Sequence, residues 1–325
     1  MLNYYYHKTK RIEDLLLEVK ATGIAFETLK TLPHLEENIR RQSLLKSSLF
    51  SARIEGNPLT LTKVKYLDSL PSNFHKLEVI NLLKTYKYIN FGKAPRRLSE
   101  KFIFKLHKMV LEKISPESGF YRQERWAIFN QTGIVVYLAP SHKDVPRLMK
   151  EMIRFINNCQ EPVVIKAALA QFIFEKIHPF ADGNGRVGRL ISAYLLRQGN
   201  FHFRNLVSLE EFIDENRSEY YRALEAEKNA TEFVEFFLEG FLFQAKKTLE
   251  RLQEVKTEAP EDSLLPRRRE ILEIIRDHPE CSFDFLARRF QNINPKTLHY
   301  DLKQLQNKGF VLKIGGTRGS LYRAL

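Results

Sequence analysis

Apolar residues recur every three or four positions through most of the first two-thirds of this chain. "RIEDLLLEVK", "LEENIRRQSLLKSSLF", "LEVINLLKTYKYI", "LSEKFIFKLHKMVLEKI" and "VPRLMKEMIRFINNC" all carry that spacing, which gathers the apolar side chains on one face of a helix. "VVIKAALAQFIFEKI" is apolar on most faces and predicts a helix buried at the centre of the core. Pro179 removes a backbone donor and disfavours helix at the residue before it, so that helix should stop near His178. A second apolar helix, "VGRLISAYLLRQG", follows at once. The stretch "HPFADGNGRVGR", His178 to Arg189, is therefore the loop between two core helices.

One segment breaks the helical pattern. "GFYRQERWAIFNQTGIVVYLAP" is rich in aromatic and β-branched residues around Gly133 and predicts a β-hairpin. After the helical "TEFVEFFLEGFLFQAKKTLERLQEVK", the polar "TEAPEDSLLP" with its two prolines reads as a linker. From Leu265 onward come three short helical patterns, "RRREILEIIRDHP", "SFDFLARRF" and "NPKTLHYDLKQLQNKGF". Two strands around a glycine-rich tip follow in "VLKIGGTRGSLYRAL", and that order predicts a winged helix-turn-helix domain. The expected fold class is mainly α. It comprises an N-terminal helical region at 1–95, a helical core with a short β-hairpin at 96–250, a linker at 251–264 and the winged helix-turn-helix domain at 265–325. No repeat of solenoid length runs through it.

Composition narrows the class without naming a function. A chain of 325 residues with 43% hydrophobic and 28% charged residues can bury a substantial core and hold two or more domains. The formal charge of +13 favours anionic partners: nucleotides, nucleic acid or acidic protein surfaces. Residues 265–325 carry 12 Lys and Arg against 6 Asp and Glu, a net +6. The two cysteines, Cys159 and Cys281, match no zinc or redox spacing and argue against a disulfide scaffold. With no signal-like N-terminus and no apolar run long enough for a bilayer, the expectation is a soluble cytoplasmic protein with no membrane partner.

The loop is where chemistry concentrates. Gly183 and Gly185 let the backbone turn sharply and approach a ligand. The next helix begins there, and its free N–H groups and positive dipole end make an anion site. Asn184 adds an amide donor. Arg186 and Arg189, three apart, share roughly one helix face, and each can fork onto phosphate oxygens. Asp182 beside phosphates is a seat for magnesium, which takes one or two carboxylates plus phosphate oxygens. His178 is the nearby group that titrates around neutrality, and as a general base it would contribute about 10²–10⁴ in rate. A Pro/Asp/Gly/Asn run between helices is often only a turn. The coincidence of all these residues in one loop points instead to a nucleotide site. The ordinary phosphate loop ending in Gly-Lys-Ser/Thr is absent.

His178-Pro179-Phe180-Ala181-Asp182-Gly183-Asn184-Gly185-Arg186-Val187-Gly188-Arg189 resembles the Fic family signature at every defining position. The resemblance implies a helical core that transfers a nucleoside monophosphate, usually AMP from ATP, onto a Ser, Thr or Tyr hydroxyl of a target protein. It implies ATP and Mg2+ as cofactors. His178 would be the general base, Asp182 the magnesium ligand and Phe180 the core anchor of the loop. Gly183, Asn184 and Gly185 would cradle the α- and β-phosphates, and Arg189 would grip the γ-phosphate. The expected ATP-binding set is Gly183 through Arg189, with Val187 and Gly188 included, plus Asn216 and Tyr220 of "ENRSEYYRALEAEKN". That last segment is similar to the one beside the nucleotide base in the family. Ile134, Val135, Val136 and Tyr137 resemble the family flap, where a target segment pairs with a strand edge. Related kinases of the Doc type have a degenerate glycine region, which this chain lacks, so AMP transfer is the preferred reading.

"SARIEG" resembles the family's inhibitory motif: Ser51, three residues, Glu55, then Gly56. Ser51 and Glu55 share a helix face, and Gly56 suits a C-terminal cap. The resemblance implies that Glu55 pairs with Arg189 and holds the γ-phosphate seat. In the C-terminal domain, Lys296, His299, Tyr300 and Lys303 are candidate DNA contacts, with Arg318 near the wing tip. Winged helices also bind proteins or dimerise, and family members often form homodimers, so a homodimer stands among the expectations. Three alternatives stay open: a DNA-binding regulator whose core senses nucleotide, a relative that transfers UMP, phosphate or phosphocholine, and one that removes AMP.

Overall fold

The computed structural model describes residues 3–31, 33–64, 73–129, 135–254, 264–278, 281–291, 293–316 and 319–325. Helix α1 (Lys10–Thr28) opens on Thr9, whose side chain accepts from the Ile12 amide. Helix α2 (Pro33–Ile54) and the single turn α3 (Leu61–Val64) follow. Asn73 and Ser99 cap α4 (Phe74–Phe91) and α5 (Glu100–Val110) in the same way, satisfying amides that the first helical turn leaves free.

The expected hairpin is present as β1 (Ala127–Phe129) and β2 (Val135–Leu138), antiparallel, with Ala127 opposite Leu138 and an irregular register between Ile128 and Phe129. Then come α6 (Val145–Asn158), α7 (Val163–Ile177), α8 (Asn184–Gln198), α9 (Leu209–Glu215), α10 (Arg217–Glu225) and α11 (Thr231–Glu254).

Helix α7 is buried along nearly its whole length, as its all-round apolar sequence predicts, and packs most extensively on α8. One hydrophobic core takes side chains from α1, α2 and α4 together with those of α5 to α11. The expected boundary at residue 95 therefore does not separate two cores. Helix α11 also runs to Glu254, four residues into the stretch expected as linker, because Leu252 is buried against that core. The rest of the expected linker up to residue 263 lies outside the described residues, and Leu264 is already buried in a second core.

That second core is built from α12 (Pro266–Asp277), β3 (Cys281–Ser282), α13 (Phe283–Arg289), α14 (Pro295–Asn307), β4 (Val311–Ile314) and β5 (Leu321–Ala324). The strands form an antiparallel sheet in the order β3-β5-β4. The two-residue β3 was not expected, since so short a strand has no periodicity to read. Arg318 lies outside the described residues. Both cysteines are free thiols, and among the described residues no helix is long and apolar enough to cross a membrane.

Candidate active site

The loop is shaped by three local devices. His178 caps α7 in the left-handed conformation (φ 48°, ψ 61°), its amide still donating to the Phe174 carbonyl, and this reverses the chain at the residue before Pro179. Phe180 turns inward, fully buried, and stacks on the ring of His107 from α5 at 3.7 Å and 7°. His107 accepts from the Gly119 amide at Nδ1 (2.8 Å), so Nε2 carries the proton it donates to the Asp182 carbonyl (2.9 Å). Finally Asn184 folds back: Nδ2 donates to Phe180 O at 2.7 Å and Oδ1 accepts from Phe180 N at 2.9 Å. Gly183 then starts α8 at φ 81°, a conformation that costs other residues about 1 kcal/mol or more, and no side chain caps the helix.

His178 sits at one end of this loop. Burial lowers its pKa to about 4, with the Glu175 backbone pulling weakly the other way and Arg122 adding to the decrease. Its buried Nδ1 has no well-formed hydrogen bond. The imidazole is thus neutral near pH 7. Trp126, just ahead of β1, lies nearly parallel to it, ring centroids 6.1 Å apart.

The two arginines face inward and are almost wholly buried. Arg186 donates from Nη1 to Glu78 of α4 (2.6 Å) and from Nη2 to Asp182 (2.5 Å). Glu78 also accepts from Asn57 Nδ2 at 2.8 Å, which ties the turn after α2 to the same cation. Burial lifts the Glu78 carboxyl above its usual range, while Arg186 and Asn57 pull it down.

Arg189 is only 1% exposed. Its Nε donates to Ser51 Oγ at 3.0 Å, and Nη2 donates to Ser51 O at 2.9 Å and to Glu55 Oε1 at 2.8 Å. Burial opposes its charge, yet Glu55, followed by Tyr220, more than offsets that and raises its pKa.

Glu55 occupies this place because α2 ends there in a Schellman motif. The Gly56 amide donates to Arg53 O (2.9 Å), the Asn57 amide donates to Ala52 O (3.1 Å), and Gly56 has φ 95°. The carboxylate also lies over Gly185, where an added Cβ would come within 2.2 Å of Oε1. Gly185 therefore lets an anionic group touch the start of α8.

One residue here was missed by the sequence reading. Glu175 on α7 is partly buried, and its buried Oε1 has no hydrogen-bond partner, as is also true of Arg189 Nη1. Burial and the nearby Glu55 raise its pKa to about 8, against the pull of Arg189 and Lys176. Oε1 would come within 2.7 Å of a Cβ at Gly188, so that glycine makes room for it. Glu175 shares its helical pattern with apolar neighbours, and nothing in its spacing marks it.

A profile of the Fic/DOC family matches residues 97–196, the span from the end of the α4–α5 connection through α8. Residues 97–196 are thus similar to the Fic domain. The chain is 29% identical over 174 residues to the Drosophila melanogaster protein named Protein adenylyltransferase Fic, covering 50% of this chain and 34% of that protein. It is 28% identical over 205 residues to the Drosophila ananassae protein of the same name, covering 59% and 39%. The chain thus spans little more than a third of these relatives' length.

Two solved structures share the fold. A Fic family protein from Desulfovibrio desulfuricans matches with a TM-score of 0.68 at 24% identity, over 98% of this chain and 97% of that one. Fic-1 from C. elegans matches with a TM-score of 0.58 at 21% identity, over 75% and 72%.

The matched span brings His178, Asp182, Gly183, Gly185, Arg186 and Arg189 into one loop and helix start. Glu55 reaches it from α2, outside the matched residues. The other expected ATP-binding residues take the following places in the packing. Tyr220 is a core residue, 2% exposed, with its hydroxyl accepting from Gln171 and its ring against Phe233 and Phe236. Its neighbour Tyr221 is half exposed and donates to Ile54 O, next to Glu55. The Val187 side chain is fully buried and its amide is spent on Gly183 O. Asn184 is almost wholly buried, its side chain bonded in both directions to the Phe180 backbone, and Nδ2 keeps a second hydrogen beyond the one given to Phe180 O. Asn216 bonds Phe212 O at the junction of α9 and α10.

In the expected flap, Ile134 lies outside the described residues. Val135 and Val136 are on β2, and the Tyr137 hydroxyl donates to Lys176 O at 2.5 Å.

Proposed function

We propose that the chain is a self-inhibited protein adenylyltransferase that moves AMP from ATP to a Ser, Thr or Tyr hydroxyl of a target protein. The observation that carries this reading is Glu55: a carboxylate held on a buried arginine at the uncapped start of α8 stands where an anion belongs. The relatives named Protein adenylyltransferase Fic support the same activity. With Nδ1 buried, Nε2 of His178 is the nitrogen left to accept the hydroxyl proton. The target oxygen then bonds the α-phosphorus, the bond from that phosphorus to the bridging oxygen breaks, and pyrophosphate leaves with the electron pair. Arg189 holds the γ-phosphate and Arg186 the neighbouring oxygens.

The residues fit a magnesium ion that arrives with the nucleotide. The Asp182 side chain is 56% exposed at the loop rim, and no group of three or more His, Cys, Asp or Glu able to hold a metal exists among the described residues. When bound, such an ion would supply positive charge to the phosphate oxygens. Asp182 would hold it through Oδ2, since both of its side-chain contacts in the loop fall on Oδ1.

Self-inhibition follows from competition. Glu55 neutralises Arg189 and repels a triphosphate, so ATP binds poorly until α2 yields the seat. A target strand adds to the β1–β2 hairpin edge, beside His178. Mass spectrometry after incubation with ATP and Mg2+ tests all of this on three proteins. Wild type should stay unlabelled, Glu55→Gly should gain AMP, and Glu55→Gly with His178→Ala should not. Absence of label on Glu55→Gly despite ATP binding would sink the transferase reading in favour of a nucleotide sensor.

A second activity has its own observation. We read residues 265–325 as a winged helix whose α14 exposes Lys296, His299, Tyr300 and Lys303, a basic face suited to the phosphates of duplex DNA. Filter binding of generic duplex should show salt-dependent retention. Its absence would point α14 toward a protein partner.

A further inference from the structure

Arg122 precedes the hairpin, belongs to none of the residues assigned above, and is buried. Its Nε donates to His178 O at 2.8 Å, Nη1 to Glu124 O at 2.7 Å and Nη2 to Pro140 O at 2.5 Å, while its amide donates to Pro179 O at 2.9 Å. Glu124 lies just before β1 and Pro140 just after β2. One guanidinium therefore reaches both feet of the hairpin and the backbone of the proposed base.

No ion pair involves Arg122 among the described residues, so three carbonyl dipoles are what holds this buried cation. A buried charge without a counter-ion is costly. An apolar residue could fill the volume, but only a rigid planar fork serves three acceptors in three chain segments at once. The bond to His178 O also falls on the one residue of the α7 end held in the left-handed region, where the carbonyl direction is most sensitive to the backbone.

We infer that Arg122 is a positioning residue: it locks the hairpin edge that presents the target hydroxyl to the backbone of His178, fixing the distance between hydroxyl and base. This rests on the adenylyl-transfer reading. Phosphate binding does not depend on it, because the guanidinium touches neither the α8 start nor Arg186 and Arg189.

The test uses the full chain in the Glu55→Gly background, with Arg122→Lys and Arg122→Ala. Lysine fills the space but cannot bridge three carbonyls. The expected result is a fall in labelling kcat of about a hundredfold, the scale of misplacement by 1 Å, with KM for ATP unchanged. Millimolar guanidinium should restore labelling in Arg122→Ala.

Trp126 is the chain's single tryptophan and stacks on His178, so its emission reports hairpin docking without any catalysis. Both variants should shift it to longer wavelength, and guanidinium should reverse the shift in Arg122→Ala. Labelling at the parent rate in Arg122→Lys, or loss of ATP binding and of the thermal transition together, would overturn the positioning role. Should the Glu55→Gly parent itself label nothing, the transfer reading fails on its own, and unchanged Trp126 emission in both variants would separately overturn the inference.

Discussion

The cations of the α7–α8 loop and those of α14 come from one basic chain but obey different rules. Arg186 and Arg189 are buried, and each is bonded to a carboxylate: Arg186 to Glu78 and Asp182, Arg189 to Glu55. Lys296 and Lys303 on α14 are exposed, while the buried charge of that module, Asp301, is held by Arg267 and Arg268 at 2.5 and 2.9 Å. Buried charges have their partners specified, carboxylates for these two arginines and three carbonyls for Arg122, because an unsolvated charge is costly. Exposed charges are set only as a field, which suits a long polyanion better than one small ligand.

The widest gap between the two regions is expected in stability. Glu78→Ala leaves Arg186 buried with Asp182 alone and should cost about 3–5 kcal/mol, seen as a lower midpoint in urea unfolding. Should it cost as little as a surface change, the loop cations are not specified by their partners.

Glu175 gives the next effect, read as a pH slope. Its native pKa of about 8 lies above the unfolded value of 4.5, so between those pH values the unfolded chain has released a proton that the native state keeps. That group removes stability as pH rises, by about 1.4 kcal/mol per unit at most, and the trend ends above pH 8. Glu175→Gln should abolish this component of the urea midpoint against pH.

Histidines act with the opposite sign. The pKa values of His107 and His178 are lowered from 6.5 to about 4, in both cases first by burial. Below pH 6.5 the unfolded chain takes up protons that the native state refuses. Stability is therefore intact above 6.5 and falls toward pH 4, by about 1.4 kcal/mol per unit for each histidine at most. His178→Ala should remove roughly half of that acid slope.

The smallest effect belongs to α14. Lys296→Ala and Lys303→Ala should change stability by no more than about 0.5 kcal/mol. If α14 does bind duplex, each should lower the salt slope of binding by about one.

How much could be read in advance differs by residue. Helix α7, its end at His178 and the cap at Gly56 were legible because each depends on neighbours in sequence: apolar spacing, a proline, a glycine after a helix. The pair of Glu55 with Arg189 came from a resemblance, and the bond is there at 2.8 Å. Glu78, Asn57, His107, Arg122 and Glu175 gave no signal. Each acts on a residue from 13 to over 100 positions away, and nothing local marks it. Tyr220 and Asn184 show that packing adds partners that residue type does not announce: Gln171 bonds the Tyr220 hydroxyl, and the Phe180 backbone bonds the Asn184 amide.

By itself the sequence determined the mainly helical class, the loop and its inventory of base, carboxylate, glycines and arginines, since periodicity, caps and turn residues act within a few positions. Tertiary structure decided that Arg186 meets Glu78, that one core joins the first 95 residues to residues 97–196, and that His178 has its pKa lowered by burial and is tied to the hairpin through Arg122. Those outcomes depend on burial and on partners brought from distant helices, and the free energy of a charge or a proton is set by that environment rather than by the residue that carries it.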